Sequence, residues 1–341
     1  MGRKTQQHKF VTFKLWKNVS RENKELLDGF IEYCRSTNKS NQTVDGYYND
    51  IQIFMVWNLQ YNNNKFFIDF TKRDIIKYQN WLVVEQKLSS NRVRRLKSSL
   101  SSMSNYIENV LDDEFKDFRN IINKIPAPPK QDIRDKTVLE DEQVDYLLNY
   151  LVDKGKYQQA CAVALAVASG SRKSELLRFK VSYFTDENII YGALYKTPEK
   201  IKTKGRGQGK FIYRYVLVNK FKPYFNLWMK QREELGIEGE ELFWTKRYGV
   251  WKPADISLFN SWAMTFSKIL NVDWYWHLNR HFFTTNLCRA NIPADVVKDI
   301  VGWESTNMVS LYNDIEIDEE LGKYFNEGGI KQVENKTLSD L

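Results

Sequence analysis

Residues 124–136, KIPAPPKQDIRDK, divide the sequence. Pro126, Pro128 and Pro129 place three of the chain's seven prolines within four positions, and charged, apolar-poor residues follow. Proline lacks a backbone donor and restricts its predecessor, so 125–136 reads as a semi-extended linker rather than the interior of an element. A chain of 341 residues also exceeds what one core ordinarily organises, so a folded domain is expected on each side. The expected division is a basic extension at 1–19, a helical domain at 20–124, the linker, a second domain at 137–325 and a tail at 326–341.

Upstream of the linker, apolar residues recur near every 3.6 positions over roughly 20–36, 41–59, 71–86 and 90–111, predicting four helices, with Ser40 and Thr71 as N-caps. Downstream, TVLEDEQVDYLLNYL opens a helix with acids in its first turn, which suits the positive end of the helix dipole. ACAVALAVA, residues 160–168, is apolar all round and predicts a buried helix. ENIIYGALY and KFIYRYVLV, rich in β-branched and aromatic residues, read as two strands joined by a long basic turn. The helical pattern resumes from 255. The expected fold class is therefore mainly α with a small antiparallel β-sheet, in two domains.

The formal net charge is +8, which makes an anionic polymer the first partner to consider. The positive charge is clustered. NRVRRLKSS carries Arg92, Arg94, Arg95 and Lys97, and YKTPEKIKTKGRGQGK gathers Lys196, Lys200, Lys202, Lys204, Arg206 and Lys210 against Glu199 alone. The tail from Asp314 is acidic. Arg92, Arg94, Arg95, Lys97 and Arg206 are the candidate contacts to such a polymer. No apolar run is long enough to span a bilayer, and the basic N-terminus lacks the apolar core of a secretion signal, so no membrane partner and a cytoplasmic, nucleoid-associated location are expected. Cys34, Cys161 and Cys288 are far apart and show no CxxC spacing, which points away from a zinc site or a disulfide framework. No metal is expected.

Three short stretches carry candidate chemistry. In WHLNRHFFTTN, residues 276–286, His277, Arg280 and His281 stand at i, i+3 and i+4, so a helix projects all three from one face. In VASGSRKSELLRF, a buried helix is expected to end at Gly170, with Ser171 capping the next and Arg172 in its first turn. An arginine there opposes the dipole unless an anion compensates, and Glu175 is the nearest carboxylate. DIVGWESTNMVSLYND holds Gly302 and Trp303, with Tyr312 nine residues after Trp303. Taken singly, each stretch reads more naturally as core packing or a structural ion pair than as a site.

Taken in order, SGSRKSELL, a lysine in a β-turn, HLNRH, VGWES and SLY resemble the tyrosine recombinase, or phage integrase, family. The resemblance covers about 137–325 and more loosely the helical first domain, which is similar to the family's core-binding domain. Many members have histidine where Trp303 stands. The hairpin loop is longer than usual and leaves the lysine open: Lys204 in TKGRG resembles one form of the box, Lys202 in IKTKG another, with Lys204 preferred.

The resemblance implies a two-domain clamp on duplex DNA and a site-specific recombinase with no cofactor. In the implied scheme Arg172 and Arg280 grip the non-bridging oxygens of the scissile phosphate, since a guanidinium offers paired donors that lysine does not. Tyr312 is the nucleophile, His277 accepts its proton or holds the phosphate, and Lys204 protonates the departing 5′ oxygen. Trp303 donates its indole N–H to the phosphate, Glu175 orients Arg172, and His281 braces the Arg280 helix. The family assembles as a tetramer on two DNA sites with a C-terminal helix docked on a neighbour, and EIDEELGKYF fits that role; an exposed acidic tail is the other reading. A type IB topoisomerase-like enzyme and a catalytically silent DNA-binding module are the competing functions.

Overall fold

A computed structural model describes residues 9–130, 138–203, 209–312, 325–326 and 329–330. Contacts group the described residues into two compact units, 9–130 and 138–203 with 210 onward.

The first unit is helical. It comprises α1 (Phe13–Asn18), α2 (Arg21–Ser36), α3 (Asn41–Tyr61), α4 (Lys72–Asn80), a π-turn at Trp81–Glu85 and α5 (Ser90–Val110). The caps follow the sequence: Ser40 Oγ accepts from the Thr43 N–H, and Thr71 forms a reciprocal capping box with Asp74. α3 is the central helix, packed against α2 and α5, with Ile51, Phe54 and Met55 fully buried. Phe54 meets Tyr78 of α4 edge-on, with ring centroids 4.9 Å apart. Part of the basic extension joins this core: Val11 and Val19 are buried, and Phe10 packs on Trp81 at 4.6 Å.

The second unit is built around α7 (Tyr157–Ser169), whose residues Ala160 to Ser169 are all buried. Its small side chains let α6 (Asp141–Asp153), α9 (Val218–Glu234) and α11 (Leu278–Arg289) pack against it. The remaining helices are α8 (Lys173–Leu176), α10 (Ile256–Leu270), α12 (Ala294–Val301) and α13 (Asn307–Tyr312).

The sheet region departs from the two-strand expectation. ENIIYGALY is itself a hairpin, β1 (Ile189–Ile190) and β2 (Leu194–Lys196), turning through Tyr191 and Gly192, both with positive φ. The basic turn holds its own ladder, β3 (Ile201–Lys202) with β4 (Phe211–Ile212), and β5 (Tyr215–Leu217) returns to pair with β2. The antiparallel sheet order is β1-β2-β5. A further hairpin joins β6 (Trp244–Arg247) and β7 (Val250–Pro253), and Phe325–Asn326 pairs with Gly329–Ile330. Most of the EIDEELGKYF segment lies outside the described residues. Among the described residues no helix is long and apolar enough to cross a membrane.

Candidate active site

The site is built where α7 and α12 end. Both helices terminate on a left-handed glycine, Gly170 at φ +57° and Gly302 at φ +78°, a conformation that side chains disfavour. A Cβ on Gly170 would stand 2.4 Å from Cδ1 of Phe283 and 3.3 Å from its Cβ. Phe283 lies one turn beyond Arg280 on α11, so pressure on its ring is pressure on the guanidinium's helix.

Arg280 is fully buried between those helix ends. Its Nη1 donates to the Gly170 carbonyl at 2.9 Å and its Nη2 to the Val301 carbonyl at 2.9 Å. A cation at the negative end of a helix dipole is stabilised, and here two such ends converge on one guanidinium. Its Cζ also lies over the Trp303 ring, 5.0 Å from the centroid. Gly170→Ala therefore combines a strained φ with overpacking, and should cost about 2–4 kcal/mol in the denaturant unfolding of this unit. A loss below about 0.5 kcal/mol would contradict that packing account.

Arg172 is the N-cap of α8, one position earlier than the sequence implied. Ser171 is fully buried, its hydroxyl 2.9 Å from Ser169 Oγ, and so does not cap the helix. Glu175 supplies the cap instead: the Arg172 N–H donates to Oε2 at 2.8 Å, and Arg172 Nη1 donates to Oε1 at 2.9 Å. With no exposed surface of its own, Glu175 holds the partly exposed Arg172 side chain from below. This carboxylate answers the dipole conflict noted in the sequence.

His277 immediately precedes α11, and its ring lies 5.8 Å from that of His281 at an 81° angle. Burial, then electrostatic repulsion from Arg280, His281 and Arg172, lowers the His277 pKa to about 4 against the opposing pull of Glu175. The imidazole is thus neutral at pH 7 and able to accept a proton. The folded value lies below the ordinary 6.5, so the unfolded chain binds more protons between the two. This group's contribution to stability is intact above about pH 6.5 and is lost as pH falls toward 4. In the free protein, the ring resonances that His277→Gln removes should not titrate between pH 7 and 5; an NMR midpoint near 6.5 would contradict the assignment.

Trp303 is buried, in a cluster with Phe283, Leu287, Val297, Val301 and Val309. Tyr312 is the last residue of α13, which packs on α11 and α12, the helices that carry Arg280 and lead into Gly302. Lys204 and Arg206 lie outside the described residues. Lys202 is exposed on β3, while Ile201 and Thr203 point inward. Lys210, at the far side of the same ladder, donates from Nζ to the Trp303 carbonyl at 3.4 Å.

One residue of this cluster escaped the sequence reading. Arg214 is fully buried between β4 and β5; its Nη2 is ion-paired with Glu175 Oε2, and its Nη1 donates to the Val301 carbonyl at 3.0 Å. The signal was present: Arg214 and Val216 alternate with half-buried tyrosines, so an arginine takes an inward position just ahead of β5.

The basic helix α5 behaves differently from a uniformly exposed face. Lys97 is buried, and its ammonium donates to the carbonyls of Ile125 at 2.7 Å and Pro126 at 3.3 Å, so its assignment as a DNA contact is corrected to a structural one. Arg92 and Arg95 both pair with buried Asp50, at 2.7 and 3.1 Å, with 31% and 54% of their side chains exposed. Arg94 is exposed and donates to the Pro128 carbonyl at 3.0 Å. Successive positions on a helix point about 100° apart, which is why four clustered cations share no single face.

The comparisons with known proteins follow the same division. The phage integrase family matches residues 137–318, and the phage integrase N-terminal SAM-like domain matches 26–117. The SPbeta prophage-derived recombinase-like protein YomM of Bacillus subtilis (strain 168) is 29% identical over 84% of each chain. The TnP I resolvase of Bacillus thuringiensis is 24% identical over 84% of this chain and 94% of its own. Among solved structures, XerH recombinase bound to a palindromic difH substrate aligns with a TM-score of 0.64 and 14% identity, covering 91% of both chains. A lambda integrase dimer bound to a COC′ core site aligns with a TM-score of 0.63 and 17% identity, over 86% of this chain and 99% of that one.

Proposed function

The chain belongs to the phage integrase family, and on that premise we propose how its residues carry out site-specific recombination of duplex DNA. The observation that carries the assignment is the pair of anchored guanidiniums, Arg172 on Glu175 and Arg280 on two helix-end carbonyls, beside a neutral His277. Such donors cost no reorganisation when negative charge gathers on a phosphate, which is what strand cleavage requires. Arg172 is the partly exposed member of the pair, and Arg280 is buried with Trp303 beside it.

In the proposed reaction the Tyr312 phenolic oxygen attacks phosphorus and the bond to the 5′ oxygen breaks. His277 takes the phenolic proton, and a hairpin lysine, Lys204 by preference, protonates the departing 5′ oxygen. The product is a 3′-phosphotyrosine and a free 5′ hydroxyl. A 5′ hydroxyl from a partner duplex then attacks the ester and restores the phenol, so the number of phosphoester bonds is conserved and no cofactor is consumed. His281 braces the start of α11.

Duplex DNA is the proposed partner, with Arg94 and Arg95 on α5, and Arg206 on the hairpin, contributing phosphate contacts that fix position rather than sequence. Synapsis is by four copies on two sites, the chain beyond Tyr312 linking neighbours, and the setting is the nucleoid. Two duplexes of unequal length carrying the site that the protein enriches from a random library provide the test. Recombinant lengths are expected. Cleavage and resealing of each duplex without exchange would contradict recombination.

A further inference from the structure

Two buried guanidiniums in the second unit have no part in the roles above. Arg232 is structural: Nε donates to the Ile237 carbonyl at 3.2 Å, Nη1 to Glu241 at 2.6 Å and Nη2 to Gly239, which closes the loop after α9. Arg214 differs in kind, because both groups it holds are groups that hold the candidate phosphate clamp.

Glu175 divides its oxygens between two arginines, Oε1 toward Arg172 and Oε2 toward Arg214. The Val301 carbonyl likewise serves two, Arg214 Nη1 at 3.0 Å and Arg280 Nη2 at 2.9 Å. A carboxylate drawn to one cation only would follow that cation's movements; a second cation on its far oxygen pins it. A carbonyl has two lone pairs, so the two guanidiniums on Val301 do not displace one another.

Arg214 is itself held by its backbone. Its N–H donates to Thr197 Oγ1 at 3.0 Å, and its carbonyl accepts from the Thr197 N–H at 3.0 Å. These bonds cross the base of the arm whose outer ladder is β3–β4. The Arg214 charge is already met by the Glu175 carboxylate, whereas the Arg280 bonds to Gly170 and Val301 are to neutral carbonyls, so Arg280 rather than Arg214 is the guanidinium suited to a phosphate.

We propose that Arg214 is a positioning residue for DNA cleavage, locking Arg172 through Glu175 and Arg280 through the Val301 carbonyl to the base of the lysine-bearing hairpin. The proposal rests on the recombinase reading and assigns one more side chain to that site. The planar fork of arginine suits the task, since two separate nitrogens reach two separate acceptors at a fixed angle.

The test uses the full chain and the duplex that it enriches from a random-sequence library, nicked beside the mapped cleavage position so that cleavage is trapped. Adduct formation is timed at saturating protein on two versions of this duplex, one with the normal scissile phosphate and one with a methylphosphonate. The methyl group removes the negative charge that the guanidiniums neutralise. On phosphate, Arg214→Met should slow the reaction by roughly 100-fold while DNA affinity stays within about threefold. On methylphosphonate the deficit should shrink by roughly tenfold or more, because less charge remains to be clamped.

A folded Arg214→Met protein that cleaves phosphate within about threefold of the parent overturns the proposal. So does a deficit equal on both substrates, which is what a purely structural ion pair gives. Should Arg214→Met fail to give a native near-ultraviolet spectrum, Arg214→Lys supports the same comparison, since one ammonium retains the charge but lacks the fork. A parent chain that forms no adduct overturns the recombinase reading and this proposal with it. A parent that cleaves alongside an unimpaired Arg214→Met overturns this proposal alone.

Discussion

Tyr312→Phe should bind its DNA site with the parent's affinity and form no covalent adduct. The substitution removes one oxygen and keeps the ring. α13 is seated on α11 and α12 with Val309 buried, so the helix has an anchor other than the phenol. In the proposed scheme binding rests on phosphate contacts spread over the protein, whereas bond breaking rests on this nucleophile. Loss of a covalent nucleophile that acts as one unit with its base lowers turnover by on the order of 10⁶-fold in a well-studied protease, which would place any residue of activity below detection on a denaturing gel. An adduct surviving in Tyr312→Phe would assign the chemistry to another side chain.

Arg280→Lys should lower the rate of cleavage by about 10²–10³-fold, or roughly 3–4 kcal/mol of barrier, with charge conserved. The reason is geometric. Arg280 reaches the Gly170 and Val301 carbonyls with two different nitrogens, and those bonds fix the plane of the guanidinium over Trp303. One ammonium cannot hold both carbonyls in the same arrangement and also present paired donors to a phosphate. A buried carbonyl left unpaired costs about 1–3 kcal/mol, so the variant should also be less stable, and its rate is to be compared at a temperature where its near-ultraviolet spectrum is native. Parent-like cleavage by Arg280→Lys would show that point charge alone suffices and that the anchored fork is not the device.

The helices, most caps and the buried α7 were legible because each is written in local spacing. Apolar period, a capping residue and a terminal glycine act within a few positions of one another, and tertiary packing here agrees with them. The candidate site was legible for a different reason: its residues keep an order and separation along the chain that resemble a family. What was hidden depends on contacts between distant segments. Lys97 reads as one more surface cation until residues 125–126 fold over it and capture its ammonium. Asp50 lies 42 residues before Arg92, and nothing local announces that it takes both Arg92 and Arg95. The ENIIYGALY run looked like one strand because Tyr191 is a good strand former; the turn there depends on Tyr191 and Gly192 both adopting positive φ. Arg214 stood in plain view at an inward position ahead of β5, but its meaning came only with Glu175 and Val301 beside it.

The proposed cleavage joins Tyr312 to the 3′ side of the cut DNA strand. It is tested most directly by trapping the protein on a nicked cognate duplex, digesting the adduct with protease and sequencing the DNA-linked peptide by mass spectrometry. The predicted result is a single modified peptide, with a 3′-phosphoryl nucleotide on Tyr312. A nucleotide attached through its 5′ phosphate, or carried by any other residue, would contradict it.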